Sequence, residues 1–127
     1  IRCEKYEIAM QVGQVLAENQ LAGKVVVAGQ DCDLAACQRI VEGTQYMTAF
    51  KSIEDLAREA AQYAVEMGKG TEVSSMPGVT DTINDGTYNV PAVILTPIAV
   101  TRDNIDEVII DGGFHRRDEV YLNADYN

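Results

Sequence analysis

The 127-residue chain has one histidine, three cysteines and half as many basic residues as acidic ones, 10 against 20. With only His115, set among charges in His115-Arg116-Arg117-Asp118, a Ser-His-Asp or Cys-His arrangement would hang on one poorly placed residue. Cys3, Cys32 and Cys37 form an odd set without Cys-x-x-Cys spacing, so neither a disulfide framework nor a zinc knuckle is expected. Cys32 and Cys37 read as small apolar residues around the start of a helix. The formal charge of −10 argues against a nucleic-acid partner, since affinity for phosphates rests on clustered Lys and Arg. No apolar run approaches the roughly 18 to 20 residues of a membrane span, and the chain does not open on the charged-then-apolar pattern of a secretion signal. His-Glu-x-x-His, the Walker phosphate loop, Gly-x-Gly-x-x-Gly and the EF-hand loop are also missing. No cofactor or metal site is therefore expected, and the chain does not read as an enzyme.

What is present is a globular composition, 46% hydrophobic, at a length suited to one domain. The most informative stretch is 24–51, KVVVAGQDCDLAACQRIVEGTQYMTAFK. Residues 24–28 form a short β-branched run between Gly23 and Gly29, the pattern of a strand buried on both faces. Asp31 or Asp33 can cap the following helix, whose Leu34, Cys37, Ile40 and Val41 share one face, and Gly43 ends it. Residues 45–50 supply a second strand. In a parallel α/β sheet, ligands bind beyond the strands' C-terminal ends, which is where Asp31 and Lys51 fall.

The flanking segments extend this unit. Residues 5–20 read as an amphipathic helix through Ile8, Val12, Val15 and Leu16, closed by Leu21-Ala22-Gly23. The chain thus starts on a helix without the strand that would normally precede it. Ser52, with Asp55 three residues on, caps a long helix whose apolar face is Ile53, Leu56, Ala57, Ala60, Ala61, Ala64 and Met67, ended at Gly68 and Gly70. This Ala-rich face suits close packing on a sheet. Residues 80–83, the Asn84-Asp85-Gly86 turn and 92–95 predict a hairpin, with Pro91 and Pro97 bracketing its second strand. Asp103 or Asn104 caps a short helix through Ile105, Val108 and Ile109, closed by Gly112-Gly113, and the polar tail 114–127 reads as loosely held. Two central strands and a hairpin are few for a doubly wound sheet, so a fragment of a larger fold is expected.

Among the charged groups, Asp103, Asp106, Glu107 and Asp111 read as a solvated helix face, and Asp81 and Asp85 as turn chemistry. Asp31 and Lys51 admit two readings. One is a helix cap and a surface lysine. The other is a polyol clamp, in which the carboxylate accepts from two neighbouring hydroxyls and the ammonium donates to a third oxygen. Pattern alone leaves both open.

The run Gly29-Gln30-Asp31-Cys32-Asp33-Leu34-Ala35, then Gly43-Thr44-Gln45-Tyr46-Met47-Thr48 and Lys51, closely resembles the C-terminal part of the D-xylose-binding proteins of ABC sugar uptake systems. Asn84-Asp85-Gly86, Val90-Pro91, Leu95-Thr96-Pro97-Ile98, Asp103-Asn104-Ile105 and Ile110-Asp111-Gly112-Gly113-Phe114-His115 agree as well, so the resemblance covers roughly residues 8–116. It implies an α/β chain with a partial type I periplasmic-binding-protein fold, a parallel sheet flanked by helices, incomplete as a single chain. Residues 1–51 would belong to the C-terminal lobe with a hinge at their end. Residues 52–95 would give a helix and hairpin to the N-terminal lobe, and 96–127 would cross back. In the family, the residues matching Asp31 and Lys51 contact the sugar. Where members usually carry Ala-Asn-Asp-Ala-x-Ala-Gly-Gly-Ala, this chain has Cys3-Glu4-Lys5-Tyr6-Glu7-Ile8-Ala9-Met10-Gln11, with Lys5 at the position of a ligand-binding Asn.

The function implied by the resemblance is the sugar-binding component of an ABC monosaccharide uptake system, for xylose or a related aldose, working outside the cytoplasm in the periplasm or as a cell-surface lipoprotein. Its partners would be the aldose, the membrane permease, and a complementary chain or second copy completing the fold. Two alternatives share the architecture: a sugar-sensing protein signalling to a membrane receptor or sensor kinase, and the effector-binding core of a transcription regulator. Fold alone does not separate them.

Overall fold

The computed structural model describes residues 1–125. It resolves into two compact units, one built from Ile1–Phe50 together with the described residues from Ile98 onward, the other from Lys51–Pro97. Tyr126 and Asn127, the end of the segment that reads as a loose tail, lie outside the described residues.

The first unit contains helix α1 (Tyr6–Glu18), strand β1 (Ala28–Gln30), helix α2 (Leu34–Val41) and strand β2 (Met47–Phe50). β1 and β2 pair in parallel, with Ala28, Gly29 and Gln30 opposite Met47, Thr48 and Ala49. A later strand of the same unit, Ile98–Thr101, pairs antiparallel to β2, so the sheet is mixed instead of all parallel. The sequence shows only a crossover there, because the pairing partner is some fifty residues away.

Helix α1 ends in a Schellman motif. Gln20 takes the left-handed φ of 58°, its N–H bonds Ala17 O, and Leu21 N–H bonds Leu16 O at 2.7 Å. Helix α2 ends the same way at Gly43, with φ 81°, where the residue type is the natural one.

Strand β1 begins at Ala28, four residues later than the apolar run suggests. Lys24 and Val25 still donate to Leu21 O in the turn after α1, and Val26 is 64% exposed. Pairing begins only where partners exist. Ala28 N–H bonds Ile1 O and Cys3 N–H bonds Ala28 O, so residues 1–3 form a short parallel bridge beside β1. The strand expected to precede α1 is thus partly supplied by the chain's own first residues.

Two apolar clusters hold this unit. One joins Cys3, Ala9, Leu16 and Val27; the other joins Cys32, Cys37, Ile40, Val41, Phe50, Val100, Ile105, Ile109 and Val120. The second cluster corrects the reading of the tail as loose. Val120, on the short helix Arg117–Val120, is fully buried, and Gln38 Nε2 donates to Glu119 O at 2.9 Å. The short helix expected around Ile105 is a π-helical turn, Asp106–Asp111. Asn104 does not cap it: its Oδ1 accepts from Thr101 N–H and its Nδ2 donates to Ala99 O.

The second unit holds helix α3 (Ile53–Gly68), a 3₁₀ turn (Val73–Ser75) and a hairpin of β3 (Asp81–Asn84) and β4 (Asn89–Ala92). Continuing in chain order, β5 is Ile98–Thr101 and α4 is Arg117–Val120. The α3 cap forms as expected, Ser52 Oγ accepting from Asp55 N–H at 3.1 Å. The hairpin's second strand lies earlier than predicted, and Pro91 sits inside it, opposite Thr82, instead of before it. A two-stranded ribbon has only edge strands, where a missing N–H is tolerated. Helix α3 has no buried residues, and Ile53, Leu56, Val65 and Met67 are all more than half exposed.

Candidate functional site

The segment just after β1 has a constrained backbone. Asp31, immediately after Gln30, has φ 65°, a left-handed conformation that non-glycine residues seldom adopt and that Asp tolerates better than most. Strand β2 holds it there. Asp31 N–H bonds Ala49 O at 3.0 Å, and the fully buried Thr48 hydroxyl donates to Asp31 O at 2.6 Å. Strain maintained by surrounding bonds at a strand's C-terminal end is a common mark of a ligand site.

Sequence reasoning missed Thr48. The available signal was a small β-branched hydroxyl in the strand that pairs with the one leading into Asp31.

Asp31 itself is half-buried, whereas its neighbour Cys32 is only 2% exposed. The Cys32 carbonyl receives two contacts, Cys37 Sγ at 3.7 Å and His115 Nε2 at 2.7 Å. The imidazole thus acts as a structural tie between the tail and the loop after β1, with Nε2 as the donor. It also meets the Phe114 ring, centroids 4.6 Å apart, and Phe114 packs on Phe50 at 5.0 Å. A hydrogen bond with the Cys37 thiol, then burial, pushes the Cys32 thiol far above the ordinary cysteine range, so it is no nucleophile. Asp33 is the N-cap residue of α2 without a side-chain capping bond, and its buried Oδ1 has no hydrogen-bond partner.

Lys51 comes directly after β2 and is exposed; it is the first residue of the second unit. Asp31 and Lys51 each come one residue after a strand of the parallel pair β1–β2. Lys5 stands at the N-cap of α1, exposed and making no side-chain capping bond.

Two of the other candidates, Asp106 and Asp85, have structural roles. Asp106 accepts from Arg117 at 2.6 Å and from the Tyr121 hydroxyl at 2.9 Å, which ties the π-helical turn to α4. Asp85 accepts from Thr87 and Tyr88 N–H within the hairpin turn. Among the described residues no group of three His, Cys, Asp or Glu could hold a metal ion, and no helix is long and apolar enough to cross a membrane. Each unit has a cleft of its own. The first unit's, about 250 Å³, lies by Val25, Tyr46 and Thr101, at the N-terminal end of β2 and away from Asp31. The second unit's, about 770 Å³, lies between α3 and Met76-Pro77 and is lined mainly by apolar atoms.

Comparison with known proteins gives these features a context. Residues 3–72 match the periplasmic binding protein domain. The chain is 46% identical over 108 residues to a D-xylose-binding periplasmic protein of Haemophilus influenzae, and 46% identical over 107 residues to one of Escherichia coli. These alignments cover 85% and 84% of the chain but 31% of each relative, so the chain spans about a third of the length of the curated relatives it matches. Among solved structures, a carbohydrate transporter solute-binding protein from Chloroflexus aurantiacus in complex with D-glucose superposes with a TM-score of 0.79 at 30% identity. The superposition covers 94% of this chain and 34% of that one. With a domain match over more than half of its residues and an α/β fold shared with solute-binding proteins, the chain belongs to the periplasmic binding protein family.

Proposed function

We propose that the chain is part of the sugar-binding component of an ABC monosaccharide uptake system, taking xylose or a related aldose outside the cytoplasm, and that Asp31 and Lys51 contact the sugar. The observation that carries this reading is the left-handed turn at Asp31, pinned by Thr48 and Ala49 at the C-terminal end of β1. An ionised carboxylate there accepts hydrogen bonds from two vicinal hydroxyls, and a lysine ammonium donates to a ring or hydroxyl oxygen. Such charge-assisted bonds satisfy the hydroxyls that a sugar must take out of water. The likeness to proteins named for D-xylose and to one bound to D-glucose supports the choice of an aldose. The role is binding, not catalysis.

In this reading the first unit belongs to the C-terminal lobe and the second to the N-terminal lobe, with 51–52 and 96–97 at the crossovers. The exposed apolar side chains of α3 are then covered by strands outside these 127 residues, or by a second copy or complementary chain. The permease is the membrane partner.

Calorimetric titration with D-xylose, D-glucose and D-ribose tests the reading in a protein carrying these residues within a full two-lobed frame. Heat is expected with at least one aldose. Asp31→Gly is the informative variant, because glycine takes φ 65° readily and keeps the fold while removing the carboxylate. Loss of a charge-assisted bond to two hydroxyls should weaken binding by roughly 100-fold. Undiminished affinity in Asp31→Gly, or no heat from the parent with any aldose, would overturn the assignment.

A further inference from the structure

We propose that Cys32 and Cys37 are a modification site, forming a disulfide across the start of α2 when the chain folds in the presence of a disulfide-bearing oxidant. The inference is independent of the sugar reading and needs only oxidising surroundings.

Its basis is positional. Asp33 is the N-cap of α2 and Leu34 its first helical residue, so Cys32 precedes the cap and Cys37 is the fourth residue of the helix. Those two positions are the ones whose side chains meet as a hydrophobic staple across a helix start. Here both are thiols. They lie in one buried cluster, and Cys37 Sγ is 3.7 Å from Cys32 O, to which it donates. In the folded chain Cys3 packs in the separate cluster with Ala9, Leu16 and Val27, so only a Cys32–Cys37 bond is compatible with the native packing.

The timing follows from burial. In the folded chain Cys32 is 2% exposed and Cys37 is fully buried, and the raised thiol pKa of Cys32 suppresses the thiolate that exchange requires. In the unfolded chain both thiols are accessible, and a separation of five residues keeps the loop to be closed short. One thiolate attacks a sulfur of the oxidant, expelling the first oxidant thiol and leaving a mixed disulfide. The second cysteine then displaces the other oxidant thiol. One sulfur–sulfur bond forms and one breaks, the two cysteines are oxidised, and the oxidant leaves as two thiols carrying the two cysteine protons. The resulting bond fixes the segment directly after Asp31.

The chain is refolded from denaturant in a glutathione/glutathione disulfide buffer and, separately, under reductant. Each sample is then denatured, alkylated with iodoacetamide and weighed intact. After oxidative folding one alkyl group is expected, on Cys3, with peptides containing Cys32 and Cys37 joined; the reduced sample should carry three. The Cys37→Ala variant should carry two alkyl groups under either condition. Three alkyl groups after oxidative folding, or a bond that includes Cys3, would overturn the proposal.

Discussion

The buried hydroxyl of Thr48 donates to the main-chain carbonyl of Asp31 at 2.6 Å, reaching from one strand of the parallel pair to the residue just past the other. The left-handed region that Asp31 occupies costs a typical L-residue roughly 1–2 kcal/mol, though Asp tolerates it better than most. The carbonyl bond and the return bond from Asp31 N–H to Ala49 O offset the strain and hold the main chain of the turn.

Thr48→Val therefore has a predictable signature. It keeps the shape of the side chain but removes the donor, leaving a carbonyl short of its partner, with an expected loss of about 1–3 kcal/mol in stability. Thr48→Ser restores the hydroxyl and should recover most of that loss. Urea denaturation of both variants, with hydrogen exchange at the Asp31 amide, checks it. A near-neutral Thr48→Val beside a destabilised Thr48→Ser would assign the effect to packing of the methyl group instead.

A second constraint lies one strand away from that hydroxyl. Gly29 is buried in the middle of β1, and a Cβ there would stand 2.6 Å from Gln45 Nε2 and 3.4 Å from Ala9 Cβ. Gln45 cannot simply yield, since its Oε1 accepts from Arg39 Nε at 3.0 Å and its Nε2 donates to Met47 O at 3.1 Å. Gly29→Ala must break one of these bonds or displace β1, and overpacking of this kind costs about 1–3 kcal/mol. In a Gln45→Ala background the same change should cost clearly less. A double-mutant cycle by chemical denaturation measures the difference, and strict additivity would rule out the Gln45 contact as the cause.

How much of this is legible in the sequence depends on how local each cause is. The Ser52–Asp55 cap of α3 and the glycine stop at Gly43 are decided within a few residues, and both stand where the pattern puts them. The start of β1 is decided by Ile1–Cys3 and by β2, far away in sequence, and the apolar run at 24–28 carries no trace of that. Pro91 misleads for a related reason: a proline breaks a central strand, and only the pairing shows that β4 has no second neighbour among the described residues. Val120 looks like one apolar residue in a polar tail until its burial with Ile105 and Ile109 gives it partners. The position of Asp31 beyond its strand is readable. Its left-handed backbone and its dependence on Thr48 are not, because both arise from pairing between strands.

The hairpin turn supplies a prediction in pH. Asp85 accepts main-chain hydrogen bonds from Tyr88 at 2.7 Å and from Thr87 at 2.8 Å, and these bonds hold its carboxyl below the usual value of 3.8. A carboxyl whose pKa is lower in the folded state than in the unfolded one stabilises the fold fully above the unfolded value, and loses that contribution as pH falls through the folded one. The turn should therefore be intact at neutral pH and weaken only below about pH 4. Amide chemical shifts of Thr87 and Tyr88 followed from about pH 7 to about pH 2 check this, with a shared midpoint expected below 3.8. Asp85→Asn keeps an acceptor oxygen but has no proton to gain, so its shifts should stay flat across the range; a midpoint that survives in that variant would place the titrating group elsewhere.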